Sequence, residues 1–350
     1  MNIDLRRAAR LAAIALLPLA AACEDNPNGP GISERLVLTV NSIDNSLSLV
    51  PVEGGASAAV RTVGLGPEGS PVGVAARGDR AVVPLGVYPF AAVVDLRAGT
   101  LLHTIPLPEN SGATGAAFLN DSLAVVANPG RNSVSLVNVL RGTAGPEVAV
   151  GTYPHTVVSD GGRVFVLNAN LVSWVPAGPS SVTVLDPALG FVRTIQLSGV
   201  NAAAAVLSGN RLYVLHSGTF GGGDGSLSAV DLQTLAETSH HGGFGEFPSS
   251  LAASPTGELY VGVYGSGILV WNPTTREFTR GPDAPLRPAG SGIVSGIGFG
   301  PGGRLHTTDP GDCMTRGAMH RLATGETPER TVQVGVCPFG IAFADVPEEG

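Results

Sequence analysis

Three features of this 350-residue sequence predict an all-β repeat architecture. A phrase of about 40 to 48 residues recurs seven times after Arg35, and its clearest part is a short strand ending in Asp or Asn. Five copies end at Asp95, Asn138, Asp186, Asp231 and Asn272, spaced by 43, 48, 45 and 41 residues. The chain also carries 49 Gly and 27 Pro between short apolar runs, and helix signals are nearly absent after residue 25. Together they predict a seven-bladed β-propeller, in which each period forms one four-stranded blade.

The composition supports one large folded domain and argues against some partners. Hydrophobic residues make up 43% and charged residues 14%, so the chain has enough apolar surface to bury and is not expected to be disordered. The formal charge is −8, from 20 basic and 28 acidic residues, and every basic residue is Arg. An acidic chain without a basic cluster argues against nucleic acid as a partner.

Residues 1–22 have the pattern of an export signal. Three arginines between residues 6 and 10 precede the apolar run Leu11–Ala22, and small residues precede Cys23. The segment Ala20-Ala21-Ala22-Cys23 resembles the lipobox of bacterial lipoproteins. That resemblance implies an acylated Cys23 and a lipid-anchored protein of the bacterial cell envelope, periplasmic or surface-facing. The alternative is ordinary cleavage after Ala22, which also exports the protein but leaves Cys23 free.

The predicted organisation is a signal peptide at 1–22, a polar tether at 23–34, the propeller at 35–346 and a tail at 347–350. The chain is expected to enter at a second strand, Arg35–Asn41, and to leave at an inner strand, Phe339–Asp345. Both ends would then share the first blade, which closes the ring without an exposed strand edge. The inner strands are expected to begin near Pro71, Gly112, Pro154, Val200, Pro248, Ile293 and Pro338.

Two cysteines remain once Cys23 is assigned to lipid. Cys313 and Cys337 form an even pair in an oxidising compartment, where a disulfide is the default expectation. The alternative is two unrelated small residues of the core. Both cysteines fall in loops that emerge on the same face of a propeller, so a bridge is geometrically sensible.

The repeated phrase can be read in full in its best copies. Residues 247–264 read Phe-Pro-Ser-Ser-Leu-Ala-Ala-Ser-Pro-Thr-Gly-Glu-Leu-Tyr-Val-Gly-Val-Tyr, and residues 133–138 read Ser-Val-Ser-Leu-Val-Asn. Other openings of the phrase stand at Ser70–Ala75, Tyr153–Val158 and Cys337–Ala342. The phrase resembles that of the YVTN family of bacterial β-propellers. The resemblance covers about residues 35–345 and implies the fold without implying a chemistry.

Motifs for catalysis are missing from the sequence. Gly-x-Ser-x-Gly, His-Glu-x-x-His, Gly-Lys-Ser/Thr and Cys-x-x-Cys do not occur. Propeller lactonases and lyases need carboxylates with Asn or His at inner strand ends, whereas His155 and Asn201 are the polar exceptions here. We therefore expect a monomeric, non-catalytic binding or scaffolding protein without a cofactor or metal, whose partner is a protein, peptide or glycan. The alternative is a metal-assisted hydrolase or lyase at the channel mouth.

The long loops lie in the second half of the chain, and uneven loops in a repeat fold mark the working face. They carry aromatic residues, which are frequent binding hot spots. The candidate ligand-binding residues are His155, Trp174, Phe220, Asp224 and Phe244, with Phe247 as a further aromatic. The alternative is that these rings fold back over the blade ends, which we favour for Phe247. Trp174 is the preferred contact because it sits midway through the long loop of blade four.

Overall fold

Seven four-stranded antiparallel sheets form the blades of a β-propeller around a central channel, as predicted. The computed structural model describes residues 31–53, 59–323 and 325–348. The predicted signal peptide 1–22 and the lipidation site Cys23 lie outside these residues. Within the described ranges, no helix is both long enough and apolar enough to pass through a lipid bilayer.

The strands of the first four blades follow one another along the chain. Blade 1 contains β1 (Ile32–Asn41), β2 (Ser46–Pro51) and β3 (Arg61–Gly64), and blade 2 contains β4 (Ala75–Arg77), β5 (Arg80–Pro84), β6 (Phe90–Asp95) and β7 (Thr100–Pro106). Blade 3 contains β8 (Ala116–Phe118), β9 (Leu123–Asn128), a 3-10 turn (Pro129–Arg131), β10 (Ser133–Asn138) and β11 (Thr143–Ala149). Blade 4 contains β12 (Pro154–Ser159), β13 (Val164–Asn168), a small hairpin of β14 (Leu171–Val172) and β15 (Val175–Pro176), β16 (Ser181–Leu185) and β17 (Phe191–Gln196).

The last three blades repeat this order. Blade 5 contains β18 (Ala202–Ser208), β19 (Arg211–His216), β20 (Ser226–Asp231) and β21 (Ala236–Gly242), and blade 6 contains β22 (Pro248–Ala253), β23 (Leu259–Val263), β24 (Gly267–Asn272) and β25 (Glu277–Arg280). After a 3-10 turn (Pro288–Gly290), blade 7 contains β26 (Gly296–Phe299), a 3-10 turn (Pro301–Gly303), β27 (Leu305–Asp309), β28 (Arg316–Leu322) and β29 (Arg330–Val336). The chain ends with β30 (Pro338–Pro347).

The ring closes in the first blade, as the sequence predicts. Strand β30 pairs antiparallel with β1, from Ile32 opposite Pro347 to Asn41 opposite Pro338, and supplies the inner strand of blade 1. Strand β1 begins at Ile32, inside the segment 23–34 assigned to the tether, because its first residues pair with the end of β30. The two chain ends thus hold each other through backbone hydrogen bonds.

A disulfide joins Cys313 to Cys337, which confirms the predicted pairing. Cys313 lies in the loop between β27 and β28, and Cys337 directly precedes β30. The two Cα atoms are 4.5 Å apart. The bond therefore fastens the start of the closing strand to blade 7.

The Ser-Val-Ser part of the repeat forms a buried polar cluster. In blade 3, Asn128 at the end of β9 donates from Nδ2 to the Oγ atoms of Ser133 and Ser135, at 3.2 and 2.9 Å. Equivalent clusters occur in two other blades. In blade 1, Asn41 donates to Ser46 and Ser48, and in blade 4, Asn168 donates to Ser181 and Thr183. Since buried polar groups need partners, the repeated serines are a structural requirement.

In blades 2 to 6, an Asp or Asn at the end of the third strand forms the turn to the fourth strand. Oδ1 of Asp231 accepts hydrogen bonds from the backbone N–H groups of Gln233 and Thr234, at 3.0 and 2.8 Å. Equivalent side-chain bonds are made by Asp95, Asn138, Asp186 and Asn272. An Asx turn of this kind reverses the chain tightly, which explains why the period is visible in the sequence.

Candidate functional site

The central channel and its entrance form a cavity of about 750 Å³, here called the channel cavity. Its lining comes from the inner strands of all seven blades and from loops on one face. Among the described lining residues there is no Asp, Glu or Arg. The cavity therefore presents an uncharged surface.

Glycines allow the inner strands to come close together around the channel. A Cβ atom at Gly73 would lie 2.8 Å from the carbonyl oxygen of Thr114, and one at Gly115 would lie 2.5 Å from that of His155. Hydroxyl groups then bridge neighbouring blades. Oγ1 of Thr114 donates to the carbonyl of His155 at 2.8 Å, and Oγ1 of Thr156 donates to that of Ala203 at 2.7 Å. These contacts fix the position of the channel wall.

Four aromatic rings line the entrance and are here called the aromatic rim: Tyr153, Trp174, Phe220 and Phe247. They form two edge-to-face pairs, Tyr153 with Trp174 at 5.6 Å and Phe220 with Phe247 at 6.1 Å between ring centroids. Trp174 is 79% exposed, Phe220 84% and Phe247 39%. Rings that fold over the blade ends would be covered, so the alternative of lids does not describe Trp174 or Phe220.

Two residues of the aromatic rim, Tyr153 and Phe247, have a left-handed backbone conformation. Tyr153 and Phe247 directly precede the inner strands β12 and β22, with φ of 54° and 55°. Asn201 and Cys337 adopt the same conformation before β18 and β30. Such φ values are uncommon for bulky residues, and unusual backbone tends to gather at functional sites. The signal that sequence reasoning missed for Tyr153 is this shared position before the inner strand.

Trp174 occupies a conformation that suits glycine. It forms, with Ser173, the two-residue turn between β14 and β15, and their φ angles are 68° and 51°. Positive φ at both central residues is typical of a type I′ hairpin turn, for which Asn-Gly is the preferred sequence. A tryptophan there costs backbone energy and exposes a large ring.

The two polar candidates of the inner strands lie in the channel wall. Nδ1 of His155 is 3.2 Å from Oγ1 of Thr156 and 3.3 Å from the carbonyl oxygen of Ala203. Surrounding atoms lower the pKa of His155 by desolvation, which the Ala203 carbonyl partly opposes. Asn201 donates from Nδ2 to the carbonyl of Gly218 at 3.2 Å. Both side chains are partly committed to holding the wall.

Two further candidates lie away from the channel cavity. Phe244 is fully buried and packs against Trp271 and Phe278, with centroids 5.4 and 4.9 Å away. This corrects its assignment as a ligand contact, since a ring that is fully buried between Trp271 and Phe278 cannot contact a ligand. Oδ1 of Asp224 accepts a hydrogen bond from the N–H of Thr219 at 2.7 Å. This bond lies within the loop between β19 and β20 and stabilises its conformation.

Metal-ligating residues are not gathered in the part of the chain that the structure describes. Within residues 31–53, 59–323 and 325–348, no three His, Cys, Asp or Glu side chains are grouped so that they could hold an ion. The adjacent His240 and His241 lie at the end of β21, outside the channel.

No family model matches this chain, and no curated protein matches it in sequence. In structure it is similar to 1315 solved chains, so the fold is widespread. One of them is hydrazine synthase from Kuenenia stuttgartiensis, with a TM-score of 0.58 and 17% identity over 73% of this chain and 78% of that chain. At this identity the likeness shows the propeller fold alone. Because one fold hosts many functions, the activity has to be argued from the site.

One blade carries a histidine in its polar cluster, with consequences for pH stability. His216 takes the place of Asn in blade 5, and its Nε2 lies 2.8 Å from Oγ of Ser228. Burial, helped by His240 and opposed by Glu237, lowers the pKa of His216 to about 4. An unfolded histidine has a pKa of about 6.5, so the unfolded state binds more protons between these values. His216 therefore takes nothing from the free energy of unfolding above about pH 6.5. As the pH falls from there towards 4, the free energy of unfolding decreases.

We expect this histidine to cost about 1.4 kcal/mol of stability at pH 5.5 relative to neutral pH. His216→Asn should remove that loss, because in blades 1, 3 and 4 an Asn donates to the hydroxyl at the position equivalent to Ser228. Urea unfolding of both proteins at pH 7.5 and 5.5 measures the difference. The reciprocal variant Asn168→His should add a similar loss. An unchanged pH dependence in His216→Asn would contradict the assignment.

Proposed function

We propose that this protein is a non-catalytic binding protein, and that the channel cavity takes up apolar side chains of a peptide or protein partner. The observation that carries this proposal is an uncharged cavity of about 750 Å³ bordered by the aromatic rim. Trp174 and Phe220 are largely exposed, although exposure of large rings brings no stability to the free protein. Aromatic residues of this kind commonly supply much of the binding free energy at interfaces.

The chemistry of the wall favours apolar groups over a glycan. The hydroxyls of Thr114, Thr156 and Ser295 are used in hydrogen bonds to neighbouring blades. Few polar groups are thus free to bind the hydroxyls of a sugar, whereas the aromatic rings can pack on hydrocarbon. The alternative of a hydrolase or lyase needs carboxylates at the inner strand ends, and His155 and Asn201 alone do not supply them.

Loss of the Trp174 ring should weaken partner binding without harming the fold. Trp174→Gly removes the ring and relieves the positive φ of 68°, so we expect an unchanged or higher melting temperature. Peptides selected by phage display on the wild-type protein should be rich in aromatic and aliphatic residues, and should bind Trp174→Gly at least tenfold more weakly.

Phe191→Ala is the matched control, because Phe191 is also an exposed ring but lies on the outer strand β17. It should bind the selected peptides like the wild type. Equal binding by Trp174→Gly would contradict the role of the rim. If a glycan array gave Trp174-dependent binding and the peptide selection none, the ligand would be a glycan and the peptide proposal would fail.

We further propose that the propeller is exported and anchored in the bacterial envelope by lipid at Cys23. The support is the basic start, the apolar run and the small residues before Cys23. The tether would then present the propeller at the membrane surface.

Replacing the lipidated thiol should release the protein from the membrane. Cys23→Ser is expected to move the protein from the detergent phase to the aqueous phase in phase partitioning, because acyl chains supply the membrane affinity. The propeller should melt at the wild-type temperature, since Cys23 precedes the first blade strand, β1, in the chain. Partitioning equal to the wild type would refute the anchor.

A further inference from the structure

A second cavity lies apart from the channel, between the outer parts of blades 5 and 6. It has a volume of about 320 Å³ and is here called the inter-blade groove. The residues that matter for its chemistry are Arg211, Ser239, His241, Trp271, Thr274 and Arg276. None of these residues is among the ligand-binding candidates named from the sequence, and the groove shares no lining residue with the channel cavity.

Both blades contribute to the groove. Arg211 begins β19, and Ser239 and His241 are two positions apart on β21, so they face the same side of blade 5. Thr274 and Arg276 belong to the turn between β24 and β25 of blade 6. The groove is thus formed only when the two blades pack together.

A rigid aromatic base supports the groove. Trp271 is 6% exposed and packs against Phe244 and Phe278, at 5.4 and 4.8 Å between centroids. The His241 ring lies 5.3 Å from the Trp271 ring. A ligand in the groove would therefore lie close to the indole of Trp271.

Neither arginine of the groove forms an ion pair with a carboxylate of the described residues. Among the described residues, neither Arg211 nor Arg276 has a carboxylate oxygen within 4.0 Å, whereas Arg80 and Arg163 pair with nearby aspartates. Nη1 of Arg211 donates to Oγ1 of Thr238 at 2.9 Å. Asp231 is opposite Arg211 in the strand register, and its Oδ1 accepts from the following turn while its Oδ2 accepts from Asn210. The N–H of Thr234 lowers the pKa of Asp231 most, and the charge of Arg211 lowers it further, so the charge of Arg211 is offset in part at a distance.

The pKa of His241 also responds to the positive charge of the groove. Burial lowers the pKa of His241 first, and the charges of Arg276 and His240 lower it further. Its imidazole is then neutral at pH 7, with one N–H group as a donor. The groove therefore combines two guanidinium groups with hydroxyl and imidazole donors in a protein whose formal charge is −8.

We propose that the inter-blade groove binds a small oxyanion, namely a carboxylate, sulfate or phosphate group. Guanidinium groups match the geometry of these anions and bind them through paired N–H donors. The hydroxyls of Ser239 and Thr274 add further donors. A volume of about 320 Å³ is at the lower end for ligand sites, so the anion is carried by a compact molecule.

Trp271 fluorescence offers a direct test, because the chain has two tryptophans and Trp174→Phe leaves Trp271 as the single one. The full-length Trp174→Phe protein is titrated with phosphate, sulfate and acetate at an ionic strength held constant with sodium chloride. We expect a saturable change in emission with at least one anion. Adding Arg211→Gln and Arg276→Gln should weaken this binding at least tenfold, with a melting temperature within a few degrees.

Arg141→Gln is the matched control, since Arg141 is exposed in a turn of blade 3 far along the ring. It should leave the titration unchanged. Saturation by acetate identifies a carboxylate ligand, and saturation by phosphate or sulfate identifies a tetrahedral anion. The proposal fails if none of the three anions saturates, if the double arginine variant binds equally well, or if Arg141→Gln gives the same loss.

Discussion

Truncation before Phe339 should abolish cooperative folding of the propeller. The deleted residues form almost all of β30, the inner strand of blade 1. We expect a loss comparable with the whole stability of a domain, about 5–15 kcal/mol. The disulfide between Cys313 and Cys337 stays in this variant, so the effect belongs to the strand itself.

The physical reason is that β30 contributes backbone pairing and core packing at once. It pairs with β1 along nearly its whole length, and Ala344 and Val346 are buried with Leu36 and Leu38 between blades 1 and 2. Without β30, the buried strand β1 becomes an unpaired edge next to exposed apolar side chains. Such an edge promotes aggregation.

Circular dichroism melting and size-exclusion chromatography measure the outcome. The matched control is removal of residues 349–350 alone, which leaves β30 complete and should not change the melting temperature. A synthetic peptide of residues 338–350, added during refolding, should restore part of the folded protein. A truncated protein that melts within a few degrees of the full chain would refute the closing role of β30.

Reduction of the disulfide between Cys313 and Cys337 should produce the second largest loss of stability. The bond closes a loop of about 25 residues, which is worth about 3.5 kcal/mol in the chain-entropy model. For a propeller of this size the loss corresponds to a melting temperature lower by roughly 5 °C. Thermal unfolding with and without a reductant measures it.

The position of the disulfide beside the closing strand β30 leads to a second expected result. Because Cys337 directly precedes β30, reduction should loosen the closing strand before the other blades. Amide hydrogen exchange should therefore increase first in β1 and β30. The control is the double variant Cys313→Ser, Cys337→Ser, whose stability should not respond to the reductant. Uniform exchange across all blades would contradict a role in closure.

Much of the fold could be predicted from the sequence because the repeat reflects local requirements. Blades 1, 3, 4 and 5 carry a polar pair across their second and third strands, and blades 2 to 6 carry an Asx turn after the third strand. Asn128 with Ser135, and Asp231 with Thr234, show these two contacts. Residues that make the polar pair or the Asx turn therefore recur with the period of the repeat. The disulfide was also predictable, since one even pair remained in a chain whose sequence predicts export.

The candidate site was predictable only in part. Trp174 and Phe220 were found because aromatic residues in long loops are unusual, and both line the channel entrance. Phe244 has the same local sequence character as Phe247, yet one ring is fully buried and the other is on the rim. Loop sequence does not determine which ring turns inward, because that depends on packing against Trp271 of β24 in blade 6.

By itself, the sequence determined the all-β class, the seven blades and the closure of the ring, because these follow from the repeated phrase and from the strands of that phrase at which the chain enters and leaves the ring. The tertiary structure decided which side chains meet across blades. Tyr153 joins the rim only through its left-handed backbone before β12, and the Arg211 and Arg276 groove exists only where blades 5 and 6 pack. Contacts between repeats depend on the relative position of whole sheets. That position is set by packing over many residues, and no local pattern records it.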